Sequence, residues 1–241
     1  QFNLPAIQGT YIYLDALKGS ILALLEAKSL TVKRTAAASA LALQYLSREN
    51  SSSLLMIGTG ALAPNLILAH ASVRPIKTVY VWGRDHSKAI KLCEDLKNAS
   101  FHVQPIKAIK DKISDVDIIS SATLSKTPLV LGKYLRPGQH VDLVGAYKED
   151  IREADDEAVK KAEVYVDTYQ GGLKESGDIV IPLKSGILKE TDIKSDLFEL
   201  ASQFKGGRKS AAEITMFKSV GHALEDLAAA TYYYNMFQNM R

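Results

Sequence analysis

The sequence has few of the features that mark secreted, membrane or nucleic-acid-binding proteins. It contains one cysteine, Cys93, so no disulfide can form within the chain, and a cytoplasmic setting is expected. The formal net charge is only +3 and Lys and Arg form no compact run, which argues against nucleic acid as a partner. No apolar stretch is long enough to cross a bilayer, and the first residues lack the pattern of a signal peptide. No Cys/His spacing suggests a metal site.

What is present predicts one complete globular domain together with part of another. Apolar residues make up 46% and charged residues 24% of the 241 positions, an ordinary mix for a folded protein. Residues 9–16 and 20–26 predict a β-hairpin that turns at Lys18-Gly19. Because an isolated hairpin is marginally stable, we expect that this chain is a fragment or that a partner chain completes its sheet.

The middle of the chain alternates between strand and helix patterns, starting after an alanine-rich helix at 33–47. The predicted strands are 54–57, 77–82, 101–105, 116–121, 140–145 and, as the last, 163–168; the predicted helices are 61–73, 86–97 and 150–161. This alternation predicts an α/β fold with a Rossmann-type, doubly wound parallel sheet. Residues 213–238 predict one long helix, with Phe217, Val220, Leu224, Leu227 and Ala228 on one stripe.

A glycine motif directly follows the first apolar strand and opens the next helix. It reads Gly58-Thr59-Gly60-Ala61-Leu62-Ala63 and fits G-x-G-x-x-A. In such a motif the first glycine permits a tight turn, the second lets a pyrophosphate approach the backbone, and the alanine keeps the helix close to the strand. The N–H groups at the helix start then face the phosphates. The sequence therefore predicts a dinucleotide site; the alternative is a glycine turn without a ligand.

The end of the second strand bears on which dinucleotide is bound. Gly83 lies where an NAD enzyme usually carries an acid for the ribose 2′-hydroxyl, and Arg84 follows it. Since a guanidinium can pair with a 2′-phosphate, NADPH is favoured. NADH stays possible because Asp85 is adjacent, and Arg84 can also be a solvated loop residue.

Two further segments follow strands at their carboxyl ends, where ligands bind in open α/β sheets. They are Ser121-Ala122-Thr123, after the fourth strand, and Val144-Gly145 with Ala146-Tyr147, at the end of the fifth. These segments can either contact the cofactor or simply form turns that bind no ligand.

Several segments together resemble the ornithine cyclodeaminase/mu-crystallin family. They are LTVKRTAAASALA (30–42), LLMIGTGALAPNLILAHASV (54–73), VYVWGRD (79–85), LKESGDI (173–179) and FKSVGHALEDLAAA (217–230). The similarity runs over essentially the whole chain. The variant GTGALAPNLI is most similar to that of the family's bacterial ketimine reductases, which reduce Δ1-pyrroline-2-carboxylate to L-proline.

The resemblance implies a homodimer whose subunits have two domains. It divides the chain into 1–32, part of an α+β substrate and dimerisation domain, 33–207, the Rossmann domain, and 208–241, a C-terminal helix that returns to the first domain. Arg34 matches the family's arginine for the substrate carboxylate, and Thr35 beside it is expected at the cofactor. The segment Lys218-Ser219-Val220-Gly221 resembles the one near the nicotinamide, so Ser219 and Gly221 are expected cofactor contacts; helix packing is the alternative.

Two departures from the family pattern shape the expected activity. The cyclodeaminases carry an aspartate after the fifth strand, where this chain has Tyr147, which argues against deamination and leaves Tyr147 either in the substrate pocket or in packing. The family's N-terminal segment, which supplies a lysine and another basic residue, is absent from these 241 residues. The sequence therefore names no general acid.

These observations predict NAD(P)H-dependent reduction of a cyclic ketimine carboxylate, an enzyme reaction at a C=N bond. The expected substrate is Δ1-pyrroline-2-carboxylate, with Δ1-piperideine-2-carboxylate, which gives L-pipecolate, as a second possibility. Two other classes stay open. One is an ornithine cyclodeaminase or an alanine-dehydrogenase-like amino-acid enzyme; the other is a protein like mu-crystallin that binds NADPH and a small ligand.

Overall fold

A computed structural model describes residues 8–240, which contain ten strands and eight helices. The strands are β1 (Thr10–Leu14), β2 (Ile21–Glu26), β3 (Ser53–Ile57), β4 (Thr78–Trp82), β5 (His102–Pro105), β6 (Ile118–Ser121), β7 (His140–Leu143), β8 (Glu163–Val166), β9 (Ser195–Asp196) and β10 (Thr215–Lys218). The helices are α1 (Ala27–Leu46), α2 (Leu62–Val73), α3 (His86–Asp95), α4 (Asp156–Lys161), α5 (Tyr169–Glu175), α6 (Gly177–Lys184), α7 (Leu197–Ala201) and α8 (Ala223–Asn239). None of these helices has both the length and the apolar character that a bilayer-crossing segment requires.

Eight parallel strands form the main sheet, in the order β5-β4-β3-β6-β7-β10-β8-β9. The apolar run Leu54–Ile57 of β3 is completely buried, as expected for a central parallel strand that is covered on both faces. Chain order reverses between β3 and β6, and this switch point opens a crevice at the carboxyl ends of the strands. The predicted doubly wound α/β fold is confirmed.

The predicted hairpin is also present, as the antiparallel pair β1–β2. Its turn contains Gly19 with a positive φ of 69°, a conformation that glycine adopts without strain. Helix α1 follows at once and begins at Ala27, earlier than the predicted residue 33. The reason is Glu26, whose carboxylate accepts hydrogen bonds from the backbone N–H groups of Lys28 and Ser29 and so caps the helix.

The prediction of one helix over 213–238 is wrong, because Thr215–Lys218 form β10, inserted between β7 and β8. All four β10 residues are buried, and such a strand shows no alternation that would separate it from a helix in sequence. Gly221, with a φ of +90°, ends the extended segment, and α8 begins at Ala223. The segment 208–241 therefore contains a central strand as well as a helix, and the strand at 163–168 is not the last.

The predicted helix 150–161 is shorter than expected, since α4 spans only Asp156–Lys161. Asp155 caps it by accepting a hydrogen bond from the N–H group of Ala158, and the same oxygen accepts one from the N–H of Gly132 in a neighbouring segment. The preceding residues run through the interior, and Glu153 is completely buried there. This correction moves an acidic side chain from an assumed helix surface to the back of the crevice.

Candidate active site

The glycine turn between β3 and α2 has the geometry that its sequence predicts. Gly58 adopts a φ of +117°, and a Cβ on it would lie 2.6 Å from the carbonyl oxygen of Ala122. Its N–H donates to the carbonyl oxygen of Trp82 at 2.8 Å, which ties the turn to the end of β4. Gly83 packs closely on Thr59, since a Cβ there would lie 2.7 Å from the Thr59 Cγ2. Gly58 is thus required by the close approach of the Ala122 backbone, and Gly83 by contact with the Thr59 side chain.

Gly60 and the start of α2 leave room for a phosphate group. A Cβ added to Gly60 would meet no atom of the described chain within 4 Å. Ala61 occupies the cap position of α2, and no side chain caps the N–H groups of the first turn. Uncapped amides and the positive end of the helix dipole form an anion-binding site. The residues present therefore fit a dinucleotide pyrophosphate.

Two clefts adjoin this turn and share the segment after β6. The first cleft, of about 480 Å³, is lined by Gly58, Thr59, Trp82, Gly83, Arg84, Ala122, Thr123, Leu124, Ser125, Thr127 and Leu129. The second cleft, of about 490 Å³, is lined by Lys28, Gly60, Ala61, Leu62, Ala122, Thr123, Leu124, Val144, Gly145 and Tyr147. Each volume lies in the range of small-molecule sites, so the pair can accommodate the two halves of a dinucleotide.

Arg84 and Asp85, at the rim of the first cleft, differ in whether their side chains are available to a ligand. Arg84 is exposed and borders the cleft. Asp85 caps α3, and its Oδ1 accepts hydrogen bonds from the backbone N–H and the hydroxyl of Ser87, at 3.0 and 2.6 Å. These bonds lower the pKa of Asp85. The guanidinium is therefore available at the rim, whereas the carboxylate is engaged by the helix.

Behind the second cleft lies Glu153, a residue that the sequence did not single out. Its Oε1 accepts hydrogen bonds from the Ser121 hydroxyl and from both the N–H and the hydroxyl of Thr123, at 2.6, 2.7 and 2.8 Å. Its Oε2 accepts one from the N–H of Gly145 at 2.6 Å. Burial raises the pKa of Glu153, and the nearby charge of Lys218 opposes the rise. The sequence did contain a signal for this placement: the acidic run at 155–157 is typical of a helix start, which puts Glu153 before the helix rather than on its surface.

Arg34 lies in a second polar cluster, which joins α1 to the first turn of α8. Its Nη1 donates to Glu225 and its Nε to Asp226, both at 2.9 Å. Gly221 lies against the guanidinium, since a Cβ there would be 2.5 Å from Nη1. Burial raises the pKa of Glu225 to about 7, although the charge of Arg34 acts in the opposite direction; Asp167 and Asp226 add to the rise.

The structure brings most of the predicted site residues together at the two clefts. Those that line them are Gly58, Thr59, Gly60, Ala61, Leu62, Gly83, Arg84, Ala122, Thr123, Val144, Gly145 and Tyr147. Ser121 is buried and directed at Glu153, and the Ser219 hydroxyl donates to Asp167 at 3.3 Å. Thr35 is buried on α1, while Arg34 and Gly221 belong to the α1–α8 cluster. Lys28 lines the second cleft and was missed, because α1 begins earlier than predicted.

Comparison with known proteins gives a consistent result over nearly the whole chain. The model of the ornithine cyclodeaminase/mu-crystallin family matches residues 1–240. A Δ1-pyrroline-2-carboxylate reductase of Paracoccus denitrificans is 36% identical over 231 residues, which cover 95% of this chain and 73% of that protein.

Two solved structures are similar along their length as well. A Δ1-pyrroline-2-carboxylate reductase of Thermococcus litoralis, in complex with NADH and L-proline, superposes with a TM-score of 0.93 at 36% identity, covering 96% of this chain and 72% of that one. An archaeal alanine dehydrogenase dimer with bound NAD superposes with a TM-score of 0.91 at 29% identity, covering 99% and 74%.

Proposed function

The chain belongs to the ornithine cyclodeaminase/mu-crystallin family, and we propose that it is an oxidoreductase that reduces a cyclic ketimine carboxylate with NADH or NADPH. The expected reaction converts Δ1-pyrroline-2-carboxylate to L-proline, with Δ1-piperideine-2-carboxylate as a second substrate. The observation that carries the proposal is the glycine turn at Gly58–Gly60, which lies between two clefts and leads into a helix, α2, whose first N–H groups have no side-chain cap. The Δ1-pyrroline-2-carboxylate reductase of Paracoccus denitrificans is 36% identical to this chain over 231 aligned residues, which supports the substrate class.

The cofactor halves are assigned to the clefts by their relation to the second strand of the sheet. In a Rossmann site the end of that strand, here Gly83, holds the adenine-side ribose. The first cleft therefore takes the adenosine half and the second takes the nicotinamide half, with the pyrophosphate at Gly60 and the start of α2. When bound, the reduced nicotinamide supplies the hydride for the C=N carbon. The protein orients both reactants and excludes water.

Arg34 is proposed to bind the substrate carboxylate. Glu225 and Asp226 take one donor each from Nη1 and Nε, so the Nη2 donors have no partner among residues 8–240. The Nη2 hydrogens can therefore donate charge-assisted hydrogen bonds to a substrate carboxylate. Tyr147, at the nicotinamide cleft, is proposed to contact the substrate; it brings no carboxylate for a deamination step.

NADPH is proposed as the preferred cofactor. The exposed guanidinium of Arg84 borders the adenosine cleft, and it suits a 2′-phosphate. Asp85, the nearby acid that could bind a ribose hydroxyl, is engaged by the N-terminus of α3.

We also propose a homodimer in which the hairpin and α8 belong to a substrate and dimerisation domain. The Tyr13 and Tyr234 rings pack 5.3 Å apart, which joins the hairpin to α8. The outer face of the hairpin exposes Ile12, Ile21 and Leu24. One similar structure is an alanine dehydrogenase dimer. Sedimentation equilibrium of the full-length protein tests the dimer, and a monomer at micromolar concentration would contradict it. A cytoplasmic location is part of the proposal, since the thiol of Cys93 is free.

The deciding experiment measures oxidation of NADH and of NADPH by the full-length protein with Δ1-pyrroline-2-carboxylate, and identifies L-proline by mass spectrometry. Parallel reactions use Δ1-piperideine-2-carboxylate, ornithine with NAD, and pyruvate with ammonia. Ammonia release from ornithine would identify a cyclodeaminase, and turnover of pyruvate an alanine dehydrogenase. Cofactor binding without turnover of any imine would favour a binding protein and overturn the proposed reaction.

A further inference from the structure

Part of the wall of the nicotinamide cleft is formed by two loops that have no regular secondary structure of their own. One follows β6 and includes Thr123; the other follows β7 and includes Gly145. They touch so closely that a Cβ on Gly145 would overlap the backbone of Thr123. Contact alone does not fix the position of one loop relative to the other; hydrogen bonds between the two backbones or to a shared side chain are also needed.

Glu153 provides that connection, because its two carboxylate oxygens bond to different loops. Oε1 accepts from the Thr123 N–H at 2.7 Å, and Oε2 accepts from the Gly145 N–H at 2.6 Å. Both partners are backbone donors, so the bridge needs two acceptor oxygens in one side chain. Aspartate is one methylene too short to span the same pair, and glutamine has only one acceptor oxygen.

A second buried layer fixes Glu153 from behind. The Asp178 Oδ1 accepts hydrogen bonds from the backbone N–H groups of Glu153 and Ala154, at 2.7 and 3.0 Å. The Lys218 Nζ lies 3.3 Å from the Asp178 Oδ2, and both side chains are completely buried. A buried charge is costly unless it is paired and hydrogen-bonded. The cationic partner at the end of β10 therefore allows two carboxylates to lie together beneath the cleft.

We propose that Glu153 is a positioning residue that holds the nicotinamide half of the cofactor in place by bridging the loops after β6 and β7. The inference rests on the proposed function only for the identity of the cofactor. Gly145 lines the nicotinamide cleft alone, whereas Thr123 lines both clefts. Loss of the bridge should therefore affect the nicotinamide half more than the adenosine half, whose proposed cleft is also lined by Gly58, Trp82 and Gly83.

The test compares binding of NADH with binding of ADP-ribose, which lacks the nicotinamide, by titration calorimetry. For E153Q and E153D we expect the dissociation constant of NADH to rise about tenfold, because binding must then also order the two loops, while that of ADP-ribose changes by less than about twofold. The emission of bound NADH, which reports the surroundings of the nicotinamide, should shift toward that of free NADH. The matched control is E149Q, which removes an exposed acid of the same connection that pairs with Lys184. It should behave as wild type.

Equal weakening of NADH and ADP-ribose in both variants, or no change in either, would overturn the proposal. If the variants fold poorly, amide hydrogen exchange of the wild-type protein tests the bridge instead. The Thr123 and Gly145 amides should be protected without cofactor, and rapid exchange at both would also refute the bridge. These readouts need no imine, so a wild type that fails to bind NADH would count against the proposed function instead.

Discussion

The Nη1 of Arg34 lies 2.9 Å from the Oε2 of Glu225, and this ion pair joins helix α1 to helix α8. The two residues are separated by 191 positions, and the strand β10 lies between them in sequence. Asp167, at the end of β8, accepts hydrogen bonds from the N–H groups of Val220 and Gly221 and so fixes the segment that brings Glu225 to Arg34. The orientation of the proposed substrate arginine thus depends on how the C-terminal segment passes through the sheet.

Replacing Arg34 with lysine should weaken substrate binding and leave cofactor binding unchanged. A lysine has one nitrogen and cannot donate to Glu225, Asp226 and a substrate carboxylate in the same fork geometry. We expect the KM for the imine to rise roughly 10- to 100-fold, from the loss of charge-assisted hydrogen bonds. The dissociation constant of NADH, measured by calorimetry, should stay within about twofold. The control is K33A, which removes the neighbouring exposed cation of α1. An equal rise of the KM in K33A would show that the effect comes from the overall positive charge of α1 and not from the Arg34 guanidinium.

The protonation of Glu225 should control substrate affinity between mildly acidic and mildly basic pH. Its pKa is raised by burial from 4.5 to about 7, so below that pH the side chain is neutral and leaves the charge of Arg34 uncompensated by Glu225. As pH rises through 7 the ionised Glu225 offsets the charge of Arg34 and repels the substrate carboxylate, so the KM for the imine should rise. In E225Q that part of the pH dependence should vanish. Protonation of the imine itself is common to both proteins, so the difference between their profiles isolates Glu225.

The raised pKa of Glu225 also determines the direction in which the stability of the folded protein changes with pH. The folded protein binds the Glu225 proton more tightly than the unfolded chain, so stability should fall as pH rises from about 4.5 to about 7. Thermal unfolding midpoints measured across this range should decline less in E225Q than in wild type. An identical decline in both proteins would show that the Glu225 carboxyl does not titrate there.

The glycine motif was predictable because all of its evidence is local. A wholly apolar strand, a glycine turn and a helix start follow one another within a few residues, and the structure places them as expected. The hairpin was predictable for the same reason, since its turn residues lie between two short apolar runs. Each of these elements is specified by neighbours in sequence.

The elements that sequence reasoning missed depend on partners far along the chain. β10 reads as part of a helix because its four buried residues have no alternation, and its identity comes only from pairing with β7 and β8. Glu153 gains its role because two loops meet at its carboxylate. Such pairings are set by tertiary packing, which overrides local pattern.

Alanine at the two motif glycines should separate binding from folding. Gly60 faces open space in the described chain, so G60A should fold with an unchanged thermal midpoint but bind NADH more weakly, by about tenfold, because the methyl group occupies the path of the pyrophosphate. Gly58 has a positive φ and lies against Ala122, so G58A should lower the thermal midpoint in the absence of any cofactor. Calorimetric binding and unfolding scans of both variants check this. Loss of stability in G60A, or normal stability in G58A, would contradict the assigned roles.

Removal of the Arg84 guanidinium should reduce binding of NADPH and spare NADH. The exposed side chain at the adenosine cleft is the proposed partner of the 2′-phosphate, which NADH lacks. For R84S we expect the dissociation constant of NADPH to rise about tenfold or more, the usual cost of a lost charge-assisted hydrogen bond, with that of NADH within about twofold. K88S serves as the control, because it removes an exposed cation in the first turn of α3 without altering the cleft lining. If wild type binds NADH more tightly than NADPH, or if R84S and K88S weaken NADPH equally, the guanidinium does not select the phosphate.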